Sequence, residues 1–371
     1  MSLRRLWLKL HRWLALSLGL VLAFAALLGA ALTIAKPLDR RANPQLFSAA
    51  SPAPVRADNA LLQRTRAVLA AEFGRDAALT FRPPREPGET LWAIVRGPWR
   101  GTVYFDPASG RELGRRGEHE GLYNTMFELH SALLMEDTGK AVLASAALAY
   151  AVLLATGLVL WWPARWSRAW HVEWRRGSFR ALFDLHRVGG ALLGVVIAVG
   201  VLSGAYMAWR PLSAAVTAAA GSDPLRPPAV PPGGNAAPPK ALDDAVRDAQ
   251  ARFAGAMVGY VQVPAGDRKP VRVRLKLADD PHPNGLTSVW LHPLSGAVLR
   301  VDRWSALDPG ARAYTWVYPL HTGELGGLPH TVLNALLGLV LAGFAGSGLW
   351  LWWQRRPARA AAAKPLRRRS A

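Results

Sequence analysis

Four long apolar runs stand out in a chain whose other segments mix polar and apolar positions. They occupy residues 13–35, 141–161, 186–208 and 331–353 and are nearly free of charged side chains. Each run exceeds the roughly 20 residues that a helix needs to cross the hydrocarbon core of a bilayer. The pattern therefore predicts four membrane-spanning helices.

The first run has some features of a signal peptide, because it follows Arg4, Arg5 and Lys9 and has small residues near its end. Its apolar part is longer than the roughly 7 to 15 residues of a signal-peptide core. A similar run also lies inside the chain. We therefore expect the first run to be a retained membrane anchor.

The four runs repeat in pairs. Leu10-His11-Arg12 opens the first run and Leu185-His186-Arg187 opens the third, and glycines follow both at the same spacing. Leu129-His130 and Leu320-His321 stand at one common distance before a Gly-Leu pair and a Trp-Trp pair in the second and fourth runs. The sequence predicts a duplicated helix-loop-helix unit with a histidine at the start of every span.

The two long segments between the spans share one order of patterns. Each begins with a linker rich in proline and alanine and continues with a stretch of helical spacing, followed by β-branched and aromatic runs. The predicted helices cover 59–73 and 241–253, and the predicted strands cover 91–95, 101–105, 271–277 and 286–291. We expect each segment to form a small α+β domain of about 60 residues, which is marginally stable alone.

The predicted fold is a membrane protein with four transmembrane α-helices, built as a duplicated helix-loop-helix unit, and two small α+β domains outside the membrane. The predicted segments are the N-terminus with the first span (1–35), a linker and first outer domain (36–140), the second span (141–162), a basic loop (163–185), the third span (186–208), a linker and second outer domain (209–329), the fourth span (330–353) and a basic tail (354–371).

The formal net charge of +20 is unevenly distributed. The N-terminus, the short loop and the tail hold 16 basic residues against two acidic ones, whereas the two long segments hold 15 against 13 and 13 against 10. Cytoplasmic loops of membrane proteins carry such an excess. The charge therefore predicts that both termini and the short loop lie in the cytoplasm, that both long segments lie outside, and that the protein has no nucleic-acid partner.

The chain has no cysteine. This excludes disulfides, thiolate zinc sites, cysteine-ligated iron-sulfur clusters and covalently attached haem of the C-x-x-C-H type. The cytoplasmic segments are too short for a nucleotide-binding domain, and the glycines within the fourth run do not follow the G-x-G-x-x-G order. An electron donor, if one is needed, must be separate.

The motifs together resemble the PepSY-associated transmembrane family. They include the two Leu-His-Arg openings, the Gly-Leu-x-Leu-Trp-Trp span endings and the stretch from Tyr318 to Gly323 (Tyr-Pro-Leu-His-Thr-Gly). The resemblance covers essentially the whole chain. It implies an inner-membrane reductase with PepSY-like periplasmic domains, which carries two b-type haems and acts on ferric siderophores.

Haem iron without a thiolate ligand needs an imidazole on each face of the macrocycle. Under the predicted topology His11 and His186 share the cytoplasmic face, and His130 and His321 share the external face. These four residues are the candidate axial ligands of two haems. The alternative for each is an ordinary interfacial histidine with no ligand role.

Other residues near the candidate ligands remain open to two interpretations. Arg12 and Arg187 would either bind haem propionates or anchor the spans by their charge. Gly190 and Gly194 would either admit a porphyrin face or allow close helix packing. The remaining five histidines are expected to be surface residues or, in the outer domains, substrate contacts: His119, His171, His282, His292 and His330.

Two functions from different classes follow. The first is a haem-dependent ferric siderophore reductase that takes electrons from a membrane quinol or a cytoplasmic reductase and passes them to a periplasmic acceptor. The second is a membrane-anchored binding or regulatory protein, such as a periplasmic peptidase inhibitor or sensor, without redox activity. Membrane lipid is a partner in both.

Overall fold

The computed structural model of the chain describes residues 2–49, 60–231 and 240–362, with side chains up to residue 355. These residues form two compact units. Of the described residues, the membrane unit contains 2–33, 129–209 and 327–362. The sheet unit contains 34–49, 60–128, 210–231 and 240–326.

Four helices in the described ranges are long and apolar enough to cross a membrane, as the sequence predicts. They are α1 (Leu3–Ala42), α5 (Glu136–Trp161), α6 (Ser178–Ala208) and α10 (Gly327–Ala362). Two of them begin before their apolar run, so His11 and His186 lie inside helices, each about two turns after the first helical residue.

The membrane unit has a small core and an apolar outer surface. In the core α5 packs against α6 and α6 against α10, and the Tyr150 hydroxyl donates to the carbonyl of Gly194 at 3.1 Å. Leu20, Leu192 and Leu336 are more than half exposed. Large apolar side chains on the outer surface suit a lipid environment, where they need no protein contact.

The remaining helices are short: α2 (Pro44–Phe47), α3 (Leu61–Phe73), α4 (Leu122–Ala132), α7 (Arg210–Ala219), α8 (Leu242–Ala251) and α9 (Pro309–Thr322). The strands are β1 (Ala78–Arg82), β2 (Leu91–Arg96), β3 (Arg100–Phe105), β4 (Glu112–Gly117), β5 (Met257–Val263), β6 (Val271–Lys276), β7 (Thr287–Leu291) and β8 (Val298–Asp302). The four strands predicted from the sequence correspond to β2, β3, β6 and β7.

The eight strands form one antiparallel sheet in the order β4-β3-β2-β1-β5-β6-β7-β8. Strands β1 and β5 join the two halves, with Leu79 opposite Val263 and Phe81 opposite Val261. The expectation of two separate small domains is therefore wrong for this part of the fold. Each half alone would expose a central strand edge and bury little apolar surface, and pairing β1 with β5 removes both problems.

Helices α3 and α8 lie on the same face of the sheet and cap each other across the two halves. The carboxylate of Asp243 accepts from the backbone N–H groups of Leu62 and Gln63, both at 2.9 Å. In return, the side chain of Gln63 accepts from the backbone N–H of Leu242 at 3.2 Å. One apolar core, which includes Phe81, lies between these helices and the sheet.

Phe81→Ala tests whether the sheet is one cooperative body. Phe81 is fully buried, so its truncation should lower the free energy of unfolding by about 3–5 kcal/mol. In hydrogen-exchange mass spectrometry of the full-length protein in detergent, backbone amides of β2 and of β7 should both exchange faster. The exposed Val68→Ala should change stability by less than about 0.5 kcal/mol. Faster exchange in β2 alone would contradict a shared core.

Candidate functional site

His11 of α1 and His186 of α6 face each other inside the membrane unit. Their ring centroids are 6.5 Å apart, and the ring planes make an angle of 89°. Both side chains are partly buried. The structure therefore brings together the two histidines that the sequence predicts to be an inner pair.

Each of these two imidazoles is held through its Nδ1 atom by a hydroxyl group of another helix. The Nδ1 atom of His11 lies 3.0 Å from Thr156 Oγ1 on α5 and 3.1 Å from the Leu153 carbonyl oxygen. The Nδ1 atom of His186 lies 2.9 Å from Ser347 Oγ on α10. Thr156 and Ser347 occupy the same place in the sequence pattern, one residue before a Gly-Leu pair.

The hydroxyl groups indicate which tautomer these histidines adopt. Thr156 donates to the Leu153 carbonyl oxygen at 2.8 Å, and Ser347 donates to the Phe344 carbonyl oxygen at 3.0 Å. Because each hydroxyl hydrogen is used within its own helix, the hydroxyl oxygen accepts from the imidazole Nδ1–H. Each Nε2 atom then carries the lone pair that a metal ion requires.

Glycines allow the rings to approach these helices closely. A Cβ atom at Gly157 would lie 3.3 Å from His11 Cε1, and one at Gly348 would lie 3.5 Å from His186 Cε1. The sequence offers two roles for the glycines of α6, room for a porphyrin face or close helix packing, and Gly190 and Gly194 differ in this respect. Gly194 is packed, since a Cβ there would lie 2.6 Å from Leu154, whereas a Cβ at Gly190 would meet no described atom within 4 Å.

His130 lies at a different level of the membrane unit. Its Nδ1 atom is 2.8 Å from the Ala25 carbonyl oxygen of α1, and a Cβ at Gly29 would lie 2.8 Å from its Cε1 atom. Ala25 follows His11 by 14 residues, a distance of roughly 21 Å along the helix axis. His321 belongs to the sheet unit, where it lies half-buried near the end of α9.

The two candidate arginines differ in their surroundings. Arg187 donates to the carbonyl oxygens of Ala169 at 2.8 Å and His171 at 3.0 Å, and its guanidinium is 3.4 Å from the fully buried carboxylate of Asp184. These contacts attach the basic loop to α6. Arg12 is half-buried on α1.

The family model for the PepSY-associated TM region matches residues 8–355. The chain belongs to this family. The match contains all four candidate spans, the sheet unit and the four candidate ligand histidines. No curated protein sequence matches the chain.

The remaining histidines of this PepSY-associated TM region protein are separate from the inner pair. His171 is exposed, with Nε2 3.7 Å from a Glu173 carboxylate oxygen, and His119 is also exposed. His330 is half-buried in α10. Among the described residues, no three histidine, aspartate or glutamate side chains form a group able to hold a metal ion.

His292 has a structural role in a turn. Its Nδ1 atom accepts from the backbone N–H groups of Leu294 and Ser295, both at 3.3 Å. Asp106 does the same in the matching turn of the first half, where it accepts from the N–H groups of Ala108 and Ser109. The ring is buried, and its observed contacts are those that hold this turn.

Thr156 and Ser347 are site residues that the sequence predictions do not include. Their signal is their common position before the Gly-Leu pairs, but a single hydroxyl in an apolar run also suits ordinary bonding to its own helix. Their role is recognisable only when the histidine of another helix is known to lie beside them.

Gly29→Ala should disturb His130, because the added methyl group would overlap the ring that bonds to Ala25. Gly200→Ala on α6 is the matched control, since a Cβ there meets no described atom within 4 Å and alanine favours a helix. In thermal unfolding of the detergent-solubilised protein, Gly29→Ala should be less stable than Gly200→Ala by about 1–3 kcal/mol. Equal stability would contradict the close contact at Gly29.

Proposed function

We propose that this chain is a di-haem b protein that transfers electrons across the bacterial inner membrane to an acceptor in the periplasm. The observation that carries the proposal is the His11–His186 pair, in which both rings are oriented through Nδ1. Buried histidines with such partners are typical of metal ligands, because the partner fixes the ring and increases the basicity of Nε2.

The spacing of the inner pair fits a haem iron. Two imidazoles that bind one metal ion from opposite sides, with bonds of about 2 Å from each nitrogen, have ring centroids about 6 Å apart. The separation here is 6.5 Å. In such a pair the line that joins the two nitrogens through the metal would lie in both ring planes, whatever the angle between the planes. Perpendicular rings are therefore compatible with one shared metal ion. Gly190 lies one turn from His186 and borders open space, so this side of α6 has room for the haem.

His130 and His321 are the proposed ligands of a second haem in the outer leaflet. The support is their matched position in the sequence and the level of His130, well beyond His11 along α1. When bound, haem iron supplies one-electron oxidation and reduction. The chain's own contribution is to hold the four imidazoles, to exclude water with its apolar helices and, through Arg12 and Arg187, to offer cations toward propionate groups.

The proposed topology places both termini and the basic loop in the cytoplasm and the sheet unit in the periplasm. The charge distribution supports this orientation. A duplicated helix-loop-helix unit is supported by the equivalent environments of His11 and His186, each beside a hydroxyl residue followed by glycine on the next span.

The proposed acceptor is the iron of a ferric siderophore, and the protein is then a haem-dependent ferric reductase. One electron converts Fe(III) to Fe(II), and chelators with hard oxygen donors hold the less charged ion more weakly. The sequence contains no recognisable flavin or nicotinamide motif, so the electron donor is a membrane quinol or a separate cytoplasmic reductase. Membrane lipid surrounds the spans.

Visible spectroscopy with haem quantitation tests the proposal. The purified protein should show b-type bands that sharpen on reduction with dithionite, and it should reduce ferric siderophores under anaerobic conditions. A colourless preparation without haem would contradict the proposal. It would favour instead a membrane-anchored PepSY-type binding or regulatory protein, such as a periplasmic peptidase inhibitor or sensor.

Histidine variants test the pairing. His11→Ala and His186→Ala should each remove about half of the bound haem, and the double variant should lose no more than either single one, because both residues hold the same iron. His11→Ala with His130→Ala should remove nearly all of it. His171→Ala, which changes an exposed histidine of the basic loop, is the control. Additive losses in His11→Ala/His186→Ala would refute the inner pair.

Removal of the hydroxyl partners should weaken haem binding without removing a ligand. Thr156→Val and Ser347→Ala should each lower haem affinity by about 10- to 100-fold, as expected when the partner of a metal-bound histidine is lost. Ser203→Ala is the matched control, because this hydroxyl of α6 bonds to Gly200 of its own helix at 2.9 Å. Haem titration of the haem-free protein measures the effect, and unchanged affinity in both variants would contradict the orienting role.

A further inference from the structure

The polar face of the sheet unit carries a cluster of basic and phenolic side chains. Strand register places Arg82 opposite Trp92 and Tyr260 opposite Arg274, on the face away from the apolar core. The side chains of Arg82 and Trp92 are in contact, with the guanidinium carbon 4.6 Å from the ring centroid. This face therefore differs from an ordinary solvated sheet surface, which presents isolated polar groups.

Arg85 lies at the centre of the cluster. Its Nη2 atom donates to Asn284 Oδ1 at 2.5 Å and to the Gly259 carbonyl oxygen at 3.2 Å. Its guanidinium carbon is 5.7 Å from the centroid of Tyr260, and that of Arg274 is 5.5 Å from the same centroid. One phenol ring thus contacts two guanidinium groups.

The cluster also contains three further tyrosines, Tyr123, Tyr314 and Tyr318. Together with Tyr260, four of the chain's seven tyrosines thus lie close enough to interact electrostatically. Tyr318 packs on the buried ring of His282, with centroids 4.3 Å apart. Burial raises the pKa of Tyr318, so its hydroxyl stays protonated. Burial, with Arg274 and its neighbours, lowers the pKa of His282 to about 3. His282 is therefore neutral, and its buried ring packs against Tyr318.

The cluster has an excess of positive charge. Five basic residues contribute to it: Lys36, Arg40, Arg82, Arg85 and Arg274. The carboxylates of Glu89 and Glu324 lie among them, and Glu89 pairs with Arg82 at 3.2 Å and with Arg40 at 3.5 Å. Five positive and two negative charges leave an excess of three. Lys276, which donates to the backbone carbonyl oxygen of Asp280, and the Asp280 carboxylate add one charge of each sign beside Arg274 and leave the excess unchanged.

Two guanidinium N–H groups of the cluster are buried without a hydrogen-bond acceptor in the described part of the chain. They are Nη1 of Arg82 and Nε of Arg85, and Arg82 as a whole is only 9% exposed. A buried charged donor without an acceptor is costly, and in natural structures such groups are usually met by a bound water, ion or ligand. Both groups belong to the Arg82-Pro-Pro-Arg85 segment, so two such donors lie in one part of the cluster.

We propose that this cluster binds an oxygen-rich anion with aromatic surface and, resting on the proposed function, that it is the docking site for a negatively charged catecholate-type iron chelate. Guanidinium groups match oxyanions in shape and charge. Tyrosine rings provide surfaces on which catechol rings stack. The excess positive charge disfavours cationic chelates and gives neutral ones no electrostatic attraction.

Binding of a redox-inert analogue to the full-length protein in detergent tests this site. Gallium(III) tris-catecholate is a triply negative analogue of the iron complex and accepts no electron under these conditions, and a neutral gallium(III) tris-hydroxamate is the comparison ligand. The tris-catecholate should bind at least about tenfold more tightly, and its affinity should fall as salt screens the cluster. Equal affinity for the two ligands, or no binding of the tris-catecholate, would overturn the proposal.

Variants locate the binding to the cluster. Arg85→Gln should weaken tris-catecholate binding about tenfold or more, because a charge-assisted hydrogen bond is lost. Arg115→Gln is the matched control, since this arginine of the same unit pairs with Glu72 and Glu112 away from the cluster. If Arg85→Gln does not fold, Arg85→Lys and Tyr260→Phe replace it, and each should weaken binding at least threefold. Full affinity in the folded variants would refute the assignment.

The outcomes separate this site from the proposed electron transfer. Haem-free protein that still binds the gallium tris-catecholate through Arg85 would refute the di-haem function and support the anion site. Haem-loaded protein that reduces ferric chelates, but whose affinity for the gallium complex does not depend on Arg85, would refute the anion site alone.

Discussion

An imidazole ring buried among apolar helices needs an acceptor for its N–H group, and the inner histidine pair depends on how this need is met. Leaving the N–H without an acceptor would cost about 1–3 kcal/mol. Thr156 and Ser347 supply the acceptors from neighbouring helices, at 3.0 and 2.9 Å. The same bonds orient Nε2 of both rings, so the group that stabilises the buried ring also prepares it to bind a metal ion.

This arrangement constrains the surrounding helices. A Cβ atom at position 157 would make a tight contact of 3.3 Å with the His11 ring, which would have to shift by a few tenths of an ångström. A Cβ atom at position 348 would lie 3.5 Å from the His186 ring, an ordinary van der Waals distance, so larger side chains than alanine are the ones that would displace this imidazole. The Thr-Gly and Ser-Gly pairs are therefore best understood as single features, in which the hydroxyl orients the ring and the glycine leaves room for it.

The sequence predicts the local part of this structure well. Long apolar runs identify the spans, and the Leu-His-Arg motifs identify both members of the inner pair, because these signals lie within one element. Contacts between distant segments could not be predicted in this way. The joining of β1 to β5, the capping of α3 by Asp243 and the partners Thr156 and Ser347 each depend on residues more than 100 positions away. The sequence predictions also leave out β1, β4, β5 and β8. In β4 the reason is local, since Glu112 to Gly117 contains a single leucine as its only large apolar residue.

The local charge of the sheet unit's polar face also depends on contacts between distant residues, so charge counts along the sequence do not predict it. Its two segments are nearly balanced in sequence, yet several carboxylates are used far from the polar face: Asp243 caps α3, Asp308 caps α9, and Glu72 and Glu112 pair with Arg115. These contacts remove acidic groups from the neighbourhood of Arg82, Arg85 and Arg274. A segment that is close to neutral overall thus forms a local positive field. Because buried cations attract an anion more strongly than solvated ones do, the position of these charges in the fold determines which ligands the surface can bind.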